Sequence, residues 1–207
     1  MKDLGKYKIE LIFLVVVHMA GLIGIKWIHE DLFLQLSFVS LIIPLLIIIY
    51  RLKISFKSIL LLLAVFLISF IAEWLGINGG YLFGEYVYGK SLGFKIDGVP
   101  PLIAINWVLL CLVSREITIR FFSSAVMIVV VSSLLMLAID FVVEPVAYKL
   151  DFWSWSENEI PLSNYRDWFI VALINQMILL FFKSENKVFS LTLGYLVILV
   201  VFFLCFY

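Results

Sequence analysis

The chain has 207 residues, 64% of them hydrophobic and only 14% charged, with a mean hydropathy of +1.15. That composition excludes an ordinary soluble domain, which could not cover so much apolar surface. Fifteen Lys and Arg balance fifteen Asp and Glu, and the basic residues are dispersed, which argues against a nucleic-acid partner.

Stretches of weakly charged apolar sequence predict membrane spans at 9–28, 32–50, 57–76, 99–114, 119–141, 167–182 and 188–206. Each is near the ~20 residues a helix needs to cross ~30 Å of hydrocarbon. Runs such as Ile59–Phe70 and Val188–Phe206 do not alternate in polarity, so a closed barrel of strands does not fit. The expectation is an all-α, polytopic transmembrane helical bundle of about seven helices, one domain over residues 1–207. The first span follows Lys2, Lys6 and Lys8 like a signal peptide, but no small-residue cleavage pattern comes after it, so it reads as a retained helix.

Alternate flanks carry unequal basic charge. Ten Lys and Arg (Lys2, Lys6, Lys8, Arg51, Lys53, Lys57, Arg115, Arg120, Lys183, Lys187) fall on one side and five (Lys26, Lys90, Lys95, Lys149, Arg166) on the other. The positive-inside rule then predicts a cytoplasmic N-terminus and a multi-pass protein of the cell membrane. Both long connections, 77–98 and 142–166, lie on the less basic side. Five of the six tryptophans (Trp27, Trp74, Trp153, Trp155, Trp168) gather at that boundary, with Glu73, Glu85, Asp97, Asp140, Glu144, Asp151, Glu157, Glu159 and Asp167. An ordinary aromatic belt would occupy both interfaces, although anchoring accounts for part of this set.

Seven of the eleven glycines lie between Gly76 and Gly98, so that connection must fold back tightly. Within it, Gly84-Glu-Tyr-Val-Tyr-Gly-Lys-Ser91 matches the phosphate-wrapping pattern GxxxxGK[ST]; with no buried strand before it and no α/β domain around it, the match reads as accidental. Glu73 sits near the end of the third span, either facing the bundle interior, where acids carry function, or solvated at a helix end. Asp140 and Glu144 are four apart, on one face if the helix continues, although Pro145 disfavours continuation. Carboxyls that close can hold one proton between them; the competing readings are a helix cap or a metal cage. Trp153, Trp155 and Trp168 offer faces that stabilise a cation, or simply anchor at the interface. His18, Asn106, Asn175 and Gln176 fall within spans and read first as interhelical glue. Cys111 and Cys205 suggest neither a disulfide framework nor a metal site.

The run Glu73-Trp-Leu-Gly-Ile-Asn-Gly-Gly-Tyr-Leu-Phe-Gly-Glu-Tyr86-Val-Tyr88-Gly-Lys-Ser-Leu-Gly93, followed by Val99-Pro100 and Asn106-Trp107, resembles the carotenoid biosynthesis membrane family that includes carotenoid 1,2-hydratases of the bisanhydrobacterioruberin hydratase type. Asp140, Glu144-Pro-Val-Ala147, Trp153-Ser-Trp155, Ile160-Pro-Leu-Ser-Asn164-Tyr165 and Trp168-Phe169 resemble its other blocks in order and spacing. Two departures stand out. Gly79 occupies a position where threonine is expected. The 140–161 portion also looks like the small membrane lycopene cyclases, but Leu162, Ser163 and Asn164 stand where those proteins carry paired acids.

The resemblance implies hydration of the C1,2 double bond of an acyclic carotenoid end, with water as co-substrate, membrane lipids around it and no cofactor. Glu73 or Asp140 would donate the proton, and the other or Glu144 would accept one from water. Trp74, Trp153 or Trp155 would face the cation; Tyr86, Tyr88, Asn106, Trp107, Asn164, Tyr165 and Trp168 complete the expected substrate site, with no metal. The alternatives are a cyclase using the same cation and a non-catalytic lipid-binding or assembly protein. Oligomeric state stays open.

Overall fold

A computed structural model describes residues 4–156 and 159–207; Lys2 and Glu157, named above, lie outside them. The helices are α1 (Lys8–Ile23, prolonged by a π-helical turn, Gly24–Ile28), α2 (Glu30–Gln35), α3 (Ser37–Leu52), α4 (Phe56–Gly79), α5 (Pro101–Thr118), α6 (Ala125–Ala147), α7 (Leu162–Leu179) and α8 (Phe189–Leu204). With α2 a short lead-in to α3, seven long helices form the all-α bundle that the sequence predicts. Among the described residues five segments are long and apolar enough to cross a membrane: Gly5–Ile28, Glu30–Leu52, Phe56–Gly79, Pro101–Thr118 and Ala125–Leu150; α8 is a shorter apolar helix.

A helix that is apolar on all sides belongs in the middle of a bundle. α5 takes that place, buried over most of its length and packed against α3, α4, α6, α7 and α8. The other spanning helices keep apolar side chains such as Ile12, Leu63, Ile71 and Leu134 exposed on the outside, as lipid-facing helices do. Lipid is as apolar as leucine, so packing and polar ties hold such helices together. α7 supplies several. Asn175 Nδ2 donates to Ser69 Oγ on α4 at 2.9 Å, and Gln176 Nε2 donates to the Cys111 carbonyl on α5 at 3.1 Å.

The two ends of the bundle differ. At one, Arg115 donates to the Leu179 and Phe182 carbonyls that end α7, Ser58 Oγ donates to the Lys183 carbonyl, Asn186 Nδ2 donates to the Arg51 carbonyl, and Arg51 pairs with Glu10. This end gathers the basic flanks that the sequence assigns to one side. At the other end the two long connections meet in a two-stranded antiparallel ribbon, β1 (Tyr86–Tyr88) on β2 (Trp153–Trp155). The ribbon adds a pair of strands to the expected all-helical plan.

Helix ends differ from the expectation most at the fifth span, predicted at 119–141 and found at Ala125–Ala147. Hydropathy places the start in the apolar run after Ile119, whereas α5 continues to Thr118 and the chain turns through 119–124 before Ser124. At the far end α6 passes through Pro145 because its acidic turn is buried rather than released to water. α7 likewise begins at Leu162, five residues ahead of the predicted span.

Candidate active site

The ribbon forms because residues 84–89 and 151–156 are short, aromatic and alternate in facing. Its register pairs Tyr86 with Trp155, Val87 with Ser154 and Tyr88 with Trp153. Side chains two apart share a face of a strand, so Tyr86, Tyr88, Trp153 and Trp155 all turn toward the helices while Val87 and Ser154 turn away. Gly89 makes the pairing close enough: a Cβ there would sit 2.1 Å from the Asp151 carbonyl. Asp151 in turn accepts from the Lys90 main-chain N–H at 2.7 Å, so the phosphate-loop look-alike is occupied by ribbon contacts.

Each strand serves one buried carboxylate. Tyr86 and Tyr88 hydroxyls donate to Glu73 Oε2 at 2.5 and 2.7 Å, and Trp107 Nε1 donates to Glu73 Oε1 at 2.9 Å. Trp153 and Trp155 Nε1 donate to Glu144 Oε2 at 3.1 and 2.9 Å, and Asn164 Nδ2 donates to Glu144 Oε1 at 2.7 Å. Glu73 and Glu144 are only 2% and 3% exposed. Burying carboxyls is tolerable when every oxygen is so bonded, and each such bond contributes about 1.5–3 kcal/mol. Burial, with Glu73 alongside, pushes the Tyr86 and Tyr88 phenols above the usual tyrosine range and keeps them as donors.

Glu73 and Glu144 both line one small cavity with Tyr86, Tyr88, Asn164 and Trp168, with room for about one water molecule. Trp168 stacks on Trp107 with centroids 3.8 Å apart. Ile103 and Trp153 line this cavity and also a larger apolar chamber bordered by α1, α3, α5, α6 and α8. On its other side Glu144, Trp153 and Trp155 also line a surface cleft with Tyr148 and Ile160. The acid cavity therefore lies between a greasy chamber and a wetter opening.

Of the residues expected at the site, Glu73, Glu144, Tyr86, Tyr88, Trp153, Trp155, Asn164 and Trp168 converge on the cavity, and Trp107 reaches it through Glu73. Asp140 stands one layer behind, buried one helical turn from Glu144, with Asn164 Nδ2 3.4 Å from its Oδ2. Asn106 lines the apolar chamber instead. Two residues lie elsewhere. Trp74 is on the outer face of α4, where its Nε1 donates to Asp97 at 3.2 Å, because it follows Glu73 by one residue and a helix turns 100° per residue. Tyr165 follows Asn164 in the same way and stacks on Phe141 at 4.0 Å. Gly79, the departure from the expected threonine, is exposed at the end of α4 and lines neither cavity.

Some residues come from the structure alone. Phe83, in the left-handed region at φ 67°, lines the cavity; its N–H donates to Asp167 Oδ2 at 2.8 Å and its carbonyl accepts from Ser163 Oγ at 3.1 Å. Arg166 holds Asp167 in turn at 2.7 Å. Gly76 lets this turn approach α4, since a Cβ there would lie 3.0 Å from the Tyr86 hydroxyl. Glycine crowding in 76–84 is the sequence trace of this close approach. Among the described residues no group of three or more His, Cys, Asp or Glu is placed to hold a metal ion.

No curated protein and no solved structure matches the chain. Residues 31–207, which include every helix from α3 onward, the ribbon and both carboxylates, match the family described as carotenoid biosynthesis protein. A chain matched over that length belongs to this family: it is a membrane-spanning carotenoid biosynthesis protein.

Proposed function

We propose that the protein hydrates the C1,2 double bond of an acyclic carotenoid end group by acid catalysis. The observation that carries this reading is the pair of separately held carboxyls, Glu73 and Glu144, across a cavity with room for about one water. The polyene enters the apolar chamber, and its end group passes Ile103 and Trp153 to the acids. A polyene is about as long as the ~30 Å hydrocarbon layer, so its end belongs near an interface, and the ribbon end of the bundle is such a place.

Asp140 and Glu144 share the amide nitrogen of Asn164. Two carboxyls that close repel when both are ionised, so the pair keeps one proton, which Glu144 presents to the cavity. Its O–H bond breaks as a C–H bond forms at the less substituted alkene carbon, leaving a tertiary cation. Indole faces of Trp153, Trp155 and Trp168 shield that cation. Water forms the C–O bond, and its surplus proton passes to Glu73, the second carboxyl lining the cavity, which Tyr86, Tyr88 and Trp107 hold in place. The proton then returns from Glu73 to Glu144 through cavity water, and the cleft beside Glu144 replenishes that water.

Asn164 favours water capture over ring closure. With Leu162 and Ser163 it stands in the stretch where the similar small cyclases carry paired acids, and it donates to the carboxyls of Asp140 and Glu144. The basic end faces the cytoplasm in this reading, which puts the acid cavity at the outer leaflet. The test is expression in cells that accumulate an acyclic carotenoid. A product heavier by one water is expected; an isomer of unchanged mass would establish a cyclase, and no new pigment from well-inserted protein would leave a binding or assembly role.

A further inference from the structure

The apolar chamber is too short for the molecule that the proposed reaction puts in it. On α5 it is lined from Ile103 to Leu110, a rise of about 10 Å at 1.5 Å per residue. Toward the basic end the surrounding helices close up, with Leu14 of α1 and Ile48 of α3 fully buried in the core. A polyene of about 30 Å with its end group at the acids therefore keeps more than half of its length outside the chamber.

The paths of α1 and α3 leave room for that length. At the basic end the two helices are tied by Arg51 of α3, which pairs with Glu10 of α1. At the ribbon end α2 folds back until the Phe33 ring lies on Gly24, so closely that a Cβ there would overlap it. Between these ties runs a groove lined by Val17, Gly21, Phe33, Leu36 and Val39, with Ala20 and Leu36 exposed on its outer side. Ile25, Ser37, Ser40 and Phe202 line both the groove and the chamber, so the two spaces adjoin at these residues.

The shared wall suits a hydrocarbon because its polar atoms are turned away. Ser37 Oγ donates to the Leu34 carbonyl at 2.6 Å and Ser40 Oγ to the Ser37 carbonyl at 2.8 Å. His18, on the same wall, donates from Nδ1 to the Leu14 carbonyl at 2.8 Å, and its Nε2 is buried. Gly21 keeps the groove open: a Cβ there would meet Phe202 at 3.8 Å, an ordinary contact, so a methyl fits and a larger side chain fills the space.

Resting on the carotenoid reading above, we infer that the groove between α1 and α2–α3 is a lateral portal, which admits the polyene from the lipid and holds its distal part while the reacting end is enclosed in protein. Lipid is as apolar as the groove, so the groove adds room rather than affinity. Blocking it therefore penalises a long polyene and spares one that ends inside the chamber.

Binding tests this without turnover. Purified protein in lipid nanodiscs is titrated with a full-length acyclic polyene hydrocarbon and with a truncated one that carries the same end group and ends inside the chamber, with quenching of tryptophan emission as the readout. Gly21→Leu is expected to weaken binding of the long polyene on the order of 10-fold, the scale of an overpacked site, while the short one binds as before. Val39→Phe, on the opposite wall, is expected to do the same and serves if Gly21→Leu does not insert. Equal losses for both polyenes, or unchanged binding of the long one because the groove holds lipid acyl chains only, overturns the portal and leaves hydration standing. Failure of either polyene to bind the native protein overturns both.

Discussion

Tyr86 and Trp155 face each other across the ribbon with ring centroids 5.2 Å apart, yet they donate to different carboxylates, Tyr86 to Glu73 and Trp155 to Glu144. One cross-strand pair therefore spaces the two acids, and the register of a six-residue ribbon sets the geometry of the cavity. A slip of one residue in either strand would turn that strand's two aromatic donors outward.

Glu73→Gln and Glu144→Gln are each expected to lower product formation by two orders of magnitude or more, the usual scale for losing a general acid or base, with membrane insertion retained. Asp140→Asn is expected to act through Glu144 by removing the repulsion that keeps the pair protonated, and so to shift the pH profile as well as the rate. Pigment analysis of cells expressing each variant, beside an immunoblot of the membrane fraction, decides this. Full activity in Glu144→Gln would transfer the donor role elsewhere.

Gly76→Ala is expected to cost activity without touching either acid. Its new methyl meets Phe83 at 3.0 Å and the Tyr86 hydroxyl at 3.0 Å, and the main-chain carbonyl of Leu82 at 3.2 Å limits relief. Tyr86 should therefore lose its bond to Glu73, at about 1.5–3 kcal/mol of stability. A melting temperature and a turnover both equal to those of the native protein would show that the turn yields freely.

Trp155→Phe and Trp153→Phe each keep an aromatic face and remove one N–H donor to Glu144. Each is expected to destabilise the protein by about 1–3 kcal/mol, and the double variant by more than either. Removing both leaves Asn164 as the donor on Glu144, so chemical denaturation of the four proteins forms a double-mutant cycle. Strict additivity would mean that the two indoles act on Glu144 independently.

The ribbon tyrosines make stability depend on alkaline pH. Burial raises both phenols in the folded state, so below about pH 10 folded and unfolded chains alike keep these protons and no dependence arises. Above it the unfolded chain releases them and the folded chain does not, so stability falls as pH rises. The Tyr86→Phe/Tyr88→Phe variant lacks these groups and is expected to lose less of its melting temperature from pH ~9 to ~11 than the native protein does. Parallel losses would place the alkaline sensitivity elsewhere.

Hydropathy alone determined that this chain crosses a membrane as a bundle of helices, because a run of apolar residues matched to the bilayer has one low-energy solution. The blocks around Glu73, Glu144, Trp153–Trp155 and Asn164 were legible as well, through the family to which residues 31–207 belong. Which of those residues meet depended on tertiary structure. Trp74 and Tyr165 neighbour site residues in sequence but point to other faces, since adjacent helical positions diverge by about 100°. Asp167 and Phe83 read as an interfacial acid and a loop aromatic until the turn before the ribbon is seen clipped to the start of α7. The ribbon itself joins segments some 67 residues apart, Tyr86 with Trp155 and Tyr88 with Trp153, and no local pattern encodes such a pairing. Local periodicity reports how each segment meets its solvent; where two distant segments bring donors to a shared carboxylate, only the packed chain holds the answer.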